Sequence, residues 1–577
     1  MVKRRFCPSL LVLFTFALLT GIPCWAASPP GEKPDVLITT MQEELQRAQT
    51  SLGKLDPAPY FLSYSVYDQS MSVAVGSEGS LVSSTRVRRR AADVTMRIGT
   101  AALDNSHQQN RGSARTSGSL ALEDDRNAIA RELWRLTYEE YRKAAKAYAS
   151  VKTNTQVEAK EEDTSPDFSE EKPPTHSDYK EVATTPEQKA LEKFVRQYSA
   201  QFRRYPYVYS SLVLVNAQKT RFHFLSTEGN HVVAPTAFVR VSIQAETRAD
   251  DGMELMRVET FQAESMDHLP PASEIAAKVE KMATDLKALR DAPVAEPFDG
   301  PAVLSGRASA VFFHEVLGHR LEGHRQRGEQ EGQTFTKAVG QPVLPEFLSV
   351  VDDPTQRKLN GLDLGGWYEF DDEGMPATKV EVIKDGVLKT FLMSRMPIKN
   401  FGNSNGHGRS QPGAMPTGRQ GNLIVSSTKT VKDSELRQKL IEEVKKQGKP
   451  YGLYFEDIQG GFTLTQRSMP QAFQVLPVLV WRVYADGRPD ELVRGIDIVG
   501  TPLSAMNRIV VTGDKTDVFN GVCGAESGQV PVAAAAPAML FSEIEVQKRA
   551  HSRNRPPTLP APTEEGTDST KGSGAKQ

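Results

Sequence analysis

The chain has 577 residues, 25% of them charged and 39% hydrophobic, and a formal net charge of −2. That length predicts more than one domain with a sizeable core, and the composition excludes a wholly disordered chain, a collagen-like chain and a multi-span membrane protein. The balanced charge gives no footing for nucleic acid, and three cysteines, Cys7, Cys24 and Cys523, are too few for a disulfide-stapled scaffold.

Residues 1–26 read as a secretory signal peptide. Lys3, Arg4 and Arg5 form a basic start, and Leu10–Leu19 is an apolar run too short to span a bilayer. Cys24 and Ala26 then supply small residues at the −3 and −1 positions of a cleavage site. The alternatives are an uncleaved anchor, or lipid attachment at Cys24, which Ile22-Pro23 disfavours. Cleavage removes three cations and no acid, taking the net charge from −2 to −5. The expected product is periplasmic or secreted, has no stable membrane span, and keeps Cys523 as its one thiol. Such a cysteine is either inert and buried or chemically employed.

Residues 35–52 carry Leu37, Met41, Leu45 and Ala48 at helical spacing. Strand-like text follows over 60–75 and 87–98, and the polar stretch 105–118 reads as loop. Asn127 is placed to cap a helix reaching about Val151, with Ile129, Leu133, Leu136 and Tyr141 on a stripe. Residues 153–185 are polar, acidic and Pro-containing, which predicts a disordered insertion. Strands resume at Leu212–Val215, Arg221–Leu225 and Phe238–Ile243, and Ile275, Val279, Met282, Leu286 and Leu289 mark a helix over 273–290. Pro293 and Pro297 predict a boundary between an N-terminal domain, 35–292, and a strand-rich C-terminal domain, 293–548. Lys384-Asp385-Gly386 and Ala485-Asp486-Gly487, each between strand-like runs, predict hairpins. A further helix is expected near 434–447. The tail, 549–577, has a composition that predicts disorder.

The segment Val311–His324, VFFHEVLGHRLEGH, holds three of the ten histidines. Zinc takes imidazole nitrogen readily, and a carboxylate beside a ligand can act as a base toward water. His314 and His319 are five residues apart, however, which on a regular α-helix separates them by about 140°. A widened, π-type turn would bring them onto one face, and Gly318 suits a distorted turn. HExxxH therefore predicts either a locally widened helix or no joint metal site, the segment then being an amphipathic helix with surface histidines. Glu322 and His324 read as groups behind the site or in solvent rather than as ligands. A catalytic zinc needs three protein ligands. Cys523, in the glycine-flanked Gly521–Gly524, is either the third or a buried structural cysteine.

Residues 300–323, GPAVLSGRASAVFFHEVLGHRLEG, resemble the active-site helix of the TldD/PmbA family of metallopeptidases. Phe370–Gly374 with EVIKDGVLKTFLMS, NGHGR at 405–409, YGLYFEDIQGG at 451–461, VRGIDIVGT at 493–501 and GVCGAESGQVPV at 521–532 extend the likeness in family order. Thr463–Val480 fits loosely, and the signal peptide and the 153–185 insertion depart from the family pattern. The resemblance implies an α+β protein, with an N-terminal α/β domain followed by a β-rich domain carrying the active-site helix. It implies Zn2+ held by His314, His319 and Cys523, with Glu315 as general base. It implies peptides or unstructured protein segments as substrates, and a homo- or heterodimer with a TldD/PmbA-type paralogue. The family also contains subunits without the motif, so the alternative is a non-catalytic peptide-binding or scaffold subunit. A third reading is a thiol enzyme with Cys523 as nucleophile.

Overall fold

In the computed structural model the described residues are 35–157, 163–180, 186–328, 330–469 and 472–550. The expected signal peptide, 1–26, and the tail from 551 lie outside them, whereas Arg549 is tied to Asp497 at 2.6 Å. Helix α1 (Val36–Leu52) buries the expected stripe of Leu37, Met41, Leu45 and Ala48. The chain then makes a long antiparallel hairpin, Pro59–Ser77 with Ser80–Thr100. Its two-residue turn has Glu78 at φ 47° and Gly79 at φ 72°, the left-handed pair that suits strand twist. The stretch 105–118, expected as loop, instead holds a 3₁₀ turn, Gln108–Ala114, and most of a short strand, Arg115–Ser119. Helix α2 (Arg126–Val157) is capped by Asp125 rather than Asn127: its carboxylate accepts from the backbone N–H groups of Asn127 at 2.9 Å and Ala128 at 3.0 Å.

Helix α3 (Gln188–Ser199) leads into Ser210–Ser226, one strand where the sequence suggested two. That strand pairs with the first hairpin on one side and His231–Arg248 on the other; Glu254–Ala263, not anticipated, extends the eight-stranded sheet. Helix α4 (Ala272–Asp291) buries Ile275, Val279, Met282, Leu286 and Leu289 against it. The boundary expected near 293 falls between α4 and the strand Phe298–Leu304.

That strand opens an eleven-stranded second sheet, where it lies between Tyr451–Thr463, parallel, and Gly528–Lys548, antiparallel. Alternation along it assigns the two faces. Ala302 and Leu304 pack with helix α5 (Gly306–Val316), while Val303 packs with Leu436, Leu440 and Val444 of helix α6 (Asp433–Lys446). The Lys384-Asp385-Gly386 turn has φ 47° and 75° at Asp385 and Gly386 and joins Val380–Lys384 to Val387–Leu388. The fold is thus mixed α+β, with helices and a mainly antiparallel sheet first and a β-rich half second. From Val36 onward it forms one compact unit, stitched by pairs such as Arg257–Asp457 at 2.5 Å and Arg395–Glu228 at 2.7 Å.

The disordered insertion expected at 153–185 is a correction. Residues 153–157 finish α2, and 163–180 are ordered; 158–162 and 181–185 lie outside the described residues. Phe168 is 4% exposed, its ring 4.8 Å from that of Phe61 and 3.9 Å from the guanidinium groups of Arg97 and Arg395. Asp167 accepts from Arg327 at 3.0 Å, and Thr175–Ser177 pairs with His231–Val233. Composition judged the segment alone, but its anchors are cations and a strand edge supplied by distant parts of the chain. Phe168→Ala should therefore cost about 3 kcal/mol and lower the melting temperature measured by calorimetry; an unchanged transition would mark the segment as dispensable.

Candidate metal centre

Helix α5 begins where Ser305 Oγ accepts from the backbone N–H of Ala308 at 3.1 Å. Its residues Ala308–Val316 are all buried, with Phe312 edge-on to Phe473 and Phe541 at 5.5 and 5.3 Å. This is a helix apolar on all sides and sunk in the core, so an amphipathic surface helix is excluded. His314 and Glu315 are each 8% exposed and His319 is 6%.

The widened turn expected from the five-residue spacing does not form. The α-helix stops at Val316, Leu317 caps it, and a 3₁₀ turn, Gly318–Leu321, carries His319 back beside His314, with ring centroids 5.0 Å apart. Tightening the chain after the helix achieves what widening it would have done. Gly318 is explained by packing rather than by helix distortion: a Cβ there would stand 1.9 Å from Gln420 Oε1. Gln420 Nε2 in turn donates to the His314 carbonyl at 3.4 Å. Arg320 closes the helix end, giving Nη1 to the Val316 carbonyl at 3.1 Å and to Thr463 Oγ1 at 2.7 Å.

Cys523 arrives from the strand Ile509–Ala525. Its Sγ is 3.4 Å from His319 Nε2, and His314, His319 and Cys523 offer donor atoms that all lie within 4.8 Å of one another. Burial pushes the Cys523 thiol up, but the His319 and His314 imidazoles outweigh it and hold it well below its ordinary value. Burial likewise works against charge on His319, yet Glu322 and Cys523 raise its pKa well above the usual value. His314 Nδ1 is buried without a hydrogen-bond partner. A thiolate, an imidazole with an unpartnered nitrogen and an imidazole braced by a carboxylate are donors that fit zinc with one position left open.

That brace is Glu322, fully buried, whose Oε1 is 3.2 Å from His319 Nδ1. The same carboxylate accepts from Arg325 Nε at 2.7 Å and stands in an ion pair with Arg419, whose Nε is 3.3 Å from Oε1. Burial opposes ionisation, but His319, Arg325 and Arg419 hold Glu322 far below the usual carboxylate range. Arg419 also gives Nη2 to the Cys523 carbonyl at 3.0 Å, linking the two halves of the donor set. Glu322 and His324 are buried rather than solvated: His324 Nε2 pairs closely with Glu526, which Arg325 also grips at 3.0 Å, and Glu322, His324 and Glu526 form a second group of donor atoms within 4.8 Å of one another. Glu315 Oε2 stands 3.8 Å from His319 Nε2, and a Cβ at Gly461 would meet Glu315 Cγ at 2.9 Å.

His314, Glu315, His319 and Cys523 all line one cavity of about 750 Å³. Its walls are α5, the end of the strand Tyr451–Thr463, the end of Ile509–Ala525, and Arg240, Ser242, Val258 and Thr260 of the first sheet. Phe462, Met469 and Val522 are exposed inside it. Sequence reasoning missed Arg320, Arg419, Gln420 and Arg240; the glycine-rich run 405–421, which holds Arg409 and Arg419, was the available signal for Arg419.

Residues 299–548 match the model of the PmbA/TldA metallopeptidase C-terminal domain. A Haemophilus influenzae protein named metalloprotease TldD homolog is 30% identical over 250 residues, 43% of this chain and 48% of its own length. A Saccharolobus solfataricus zinc metalloprotease TldD homolog is 24% identical over 332 residues, 56% of this chain and 69% of its own. The chain spans about half the length of the first curated relatives it matches. Over the whole fold, the solved structure of TldE from Thermococcus kodakarensis superimposes with a TM-score of 0.58 at 14% identity, covering 88% of this chain and all of that one. Residues 299–548 are therefore similar to the C-terminal domain of the PmbA/TldA metallopeptidases.

Proposed function

We propose that this protein is an exported zinc-dependent peptidase that hydrolyses peptides or unstructured protein segments. The observation carrying this reading is the convergence of His314, His319 and Cys523 within 4.8 Å, with Glu315 beside them on the wall of a cavity of about 750 Å³. In it the two imidazoles and the thiolate hold the ion. Zinc in such a set supplies a Lewis acid that polarises a carbonyl and makes water nucleophilic near neutral pH.

The protein's own groups do the rest. Glu315 takes a proton from the attacking water and returns it to the departing amine. Arg320, on the backbone at the end of α5, and Gly461, which leaves room for the side chain, fix where that carboxylate stands. Glu322 accepts the Nδ1 proton of His319 and thereby turns Nε2 toward the cavity. Two strand edges support docking of an extended backbone. Among the described residues Phe298–Leu304 pairs with Tyr451–Thr463 only at Leu453–Phe455, leaving one edge of Gln459–Thr463 open on the cavity wall, and Phe519–Ala525 pairs on one side only. A folded protein, most of whose strands are already paired, should be a poor substrate. Two features support dimer formation with a paralogue: relatives bear the name TldD and a solved neighbour the name TldE. Among the described residues no helix is long and apolar enough to cross a membrane, and the export assignment rests on residues 1–26.

The purified chain from residue 27 should contain zinc and cleave an unstructured peptide, and chelation should abolish cleavage; cleavage indifferent to chelator would overturn the reading. Glu315→Gln should keep its zinc and lose about 10²–10⁴ in rate, and undiminished turnover would remove the base assignment. Glu322→Gln should weaken zinc about 10- to 100-fold, measured by competition with a chromogenic chelator. Cys523 should resist alkylation in the zinc-loaded protein and react quickly once zinc is removed, because, despite burial, His319 and His314 lower the pKa of the free thiol and favour its reactive form. Equal labelling in both states would exclude it as a ligand.

A further inference from the structure

Arg240 differs from the other arginines on the cavity wall. Arg307 faces Glu259 at 3.4 Å and Asp457 at 3.3 Å, and Arg325 faces Glu322 and Glu526. Half-buried Arg240 gives Nη1 to Gln262 Oε1 and Nη2 to the Asn520 carbonyl, both at 3.3 Å. Both acceptors are neutral, and among the described residues no carboxylate pairs with this guanidinium. Burial lowers its pKa, and no acidic group offsets that effect. A guanidinium remains charged in proteins, so a partly desolvated cation is left facing the cavity without a counter-ion.

Its position relative to the metal centre is informative. Asn520, which Arg240 touches, precedes Cys523 by three residues on a strand whose run Phe519–Ala525 lines the cavity. At about 3.3 Å per residue the two points are roughly 10 Å apart, the span of about three residues of extended peptide. A guanidinium fork matches a carboxylate in a bidentate pair. We propose that Arg240 binds a substrate carboxylate, either the peptide's C-terminus or an Asp or Glu side chain, about three residues from the bond that is cut. This rests on the peptidase reading above and adds a selectivity to it.

The test uses the zinc-loaded protein and four versions of one peptide whose cut site has been mapped by mass spectrometry. These are the free acid, the C-terminal amide, the amide with Asp or Glu three residues from the cut, and the amide with Asn or Gln there. The wild type should favour a carboxylate peptide over its neutral counterpart by roughly 10- to 100-fold in kcat/KM, expressed in KM. Preference for the free acid or for the internal acid identifies which carboxylate is read. Arg240→Ala should bring the acid-to-amide ratio close to one. Arg240→Gln, which keeps hydrogen-bonding capacity and guards against misfolding, should do the same with an unaltered melting temperature. Equal cleavage by the wild type of both carboxylate peptides and their neutral counterparts, or a carboxylate-to-neutral ratio unchanged in both variants, overturns the proposal.

Peptide affinity is measured in parallel by fluorescence anisotropy on the Glu315→Gln protein. Carboxylate-dependent Kd without hydrolysis by the wild type would sink the peptidase reading and leave Arg240 as a carboxylate receptor. Hydrolysis with no carboxylate dependence in either Kd or KM would sink the Arg240 assignment alone, and neither binding nor hydrolysis would sink both.

Discussion

Glu322 is the constraint on which the candidate metal centre depends. A fully buried carboxylate is tolerated only when it is paired and hydrogen-bonded, and this one is met by His319, Arg325 and Arg419 at once. Each partner leads elsewhere. His319 closes the turn after α5, Arg419 reaches the backbone of Cys523, and Arg325 reaches Glu526 on the far side of the same loop. Positions 319 and 523 are thus held by one buried charge, without which the imidazole ring and the thiol would be free to drift apart.

The core arranges matters so that this charge can be buried. Helix α5 lies against the second sheet with apolar side chains all around it, and its first turn is fixed by Ser305. Rigidity there matters because the helix ends where the chemistry begins: His314 and Glu315 occupy its last turn, and everything after Leu317 is tight turn and ion pair. Side chains on such elements keep their geometry better than side chains on free loops. The two glycines at the closest approaches, Gly318 under Gln420 and Gly461 under Glu315, let the loop and the strand come near enough to hold that last turn.

The two halves of the chain share the cavity. The second sheet provides the donor set and the open strand edges, while the first sheet contributes Arg240, Ser242, Val258 and Thr260 to the lining. The residue 163–180 segment is part of the same construction, since Asp167 takes Arg327, a few residues beyond the histidine turn, and the Ser169 carbonyl takes Arg395.

The amino-acid sequence by itself determined the mixed α+β character, the helices α1, α4 and α6, the Asp385-Gly386 turn and the cluster His314, Glu315 and His319. These are legible because each is local: a stripe at helical spacing, a turn dipeptide, a dense histidine cluster matched by family motifs. Cys523, 204 residues from His319, was singled out as a ligand only through the family resemblance. Only the tertiary structure decided the rest. It chose a 3₁₀ turn over a widened helix, because Gln420 and Glu322, one of them a hundred residues away, pull the turn closed. It ordered residues 163–180, because Phe168 and Asp167 find arginines from other elements. It joined Ser210–Ser226 into one strand, because its neighbours on both sides continue the ladder. It placed Arg240 opposite Asn520, because two sheets meet there. Each of these depends on partners far apart in the chain, which no local pattern can announce.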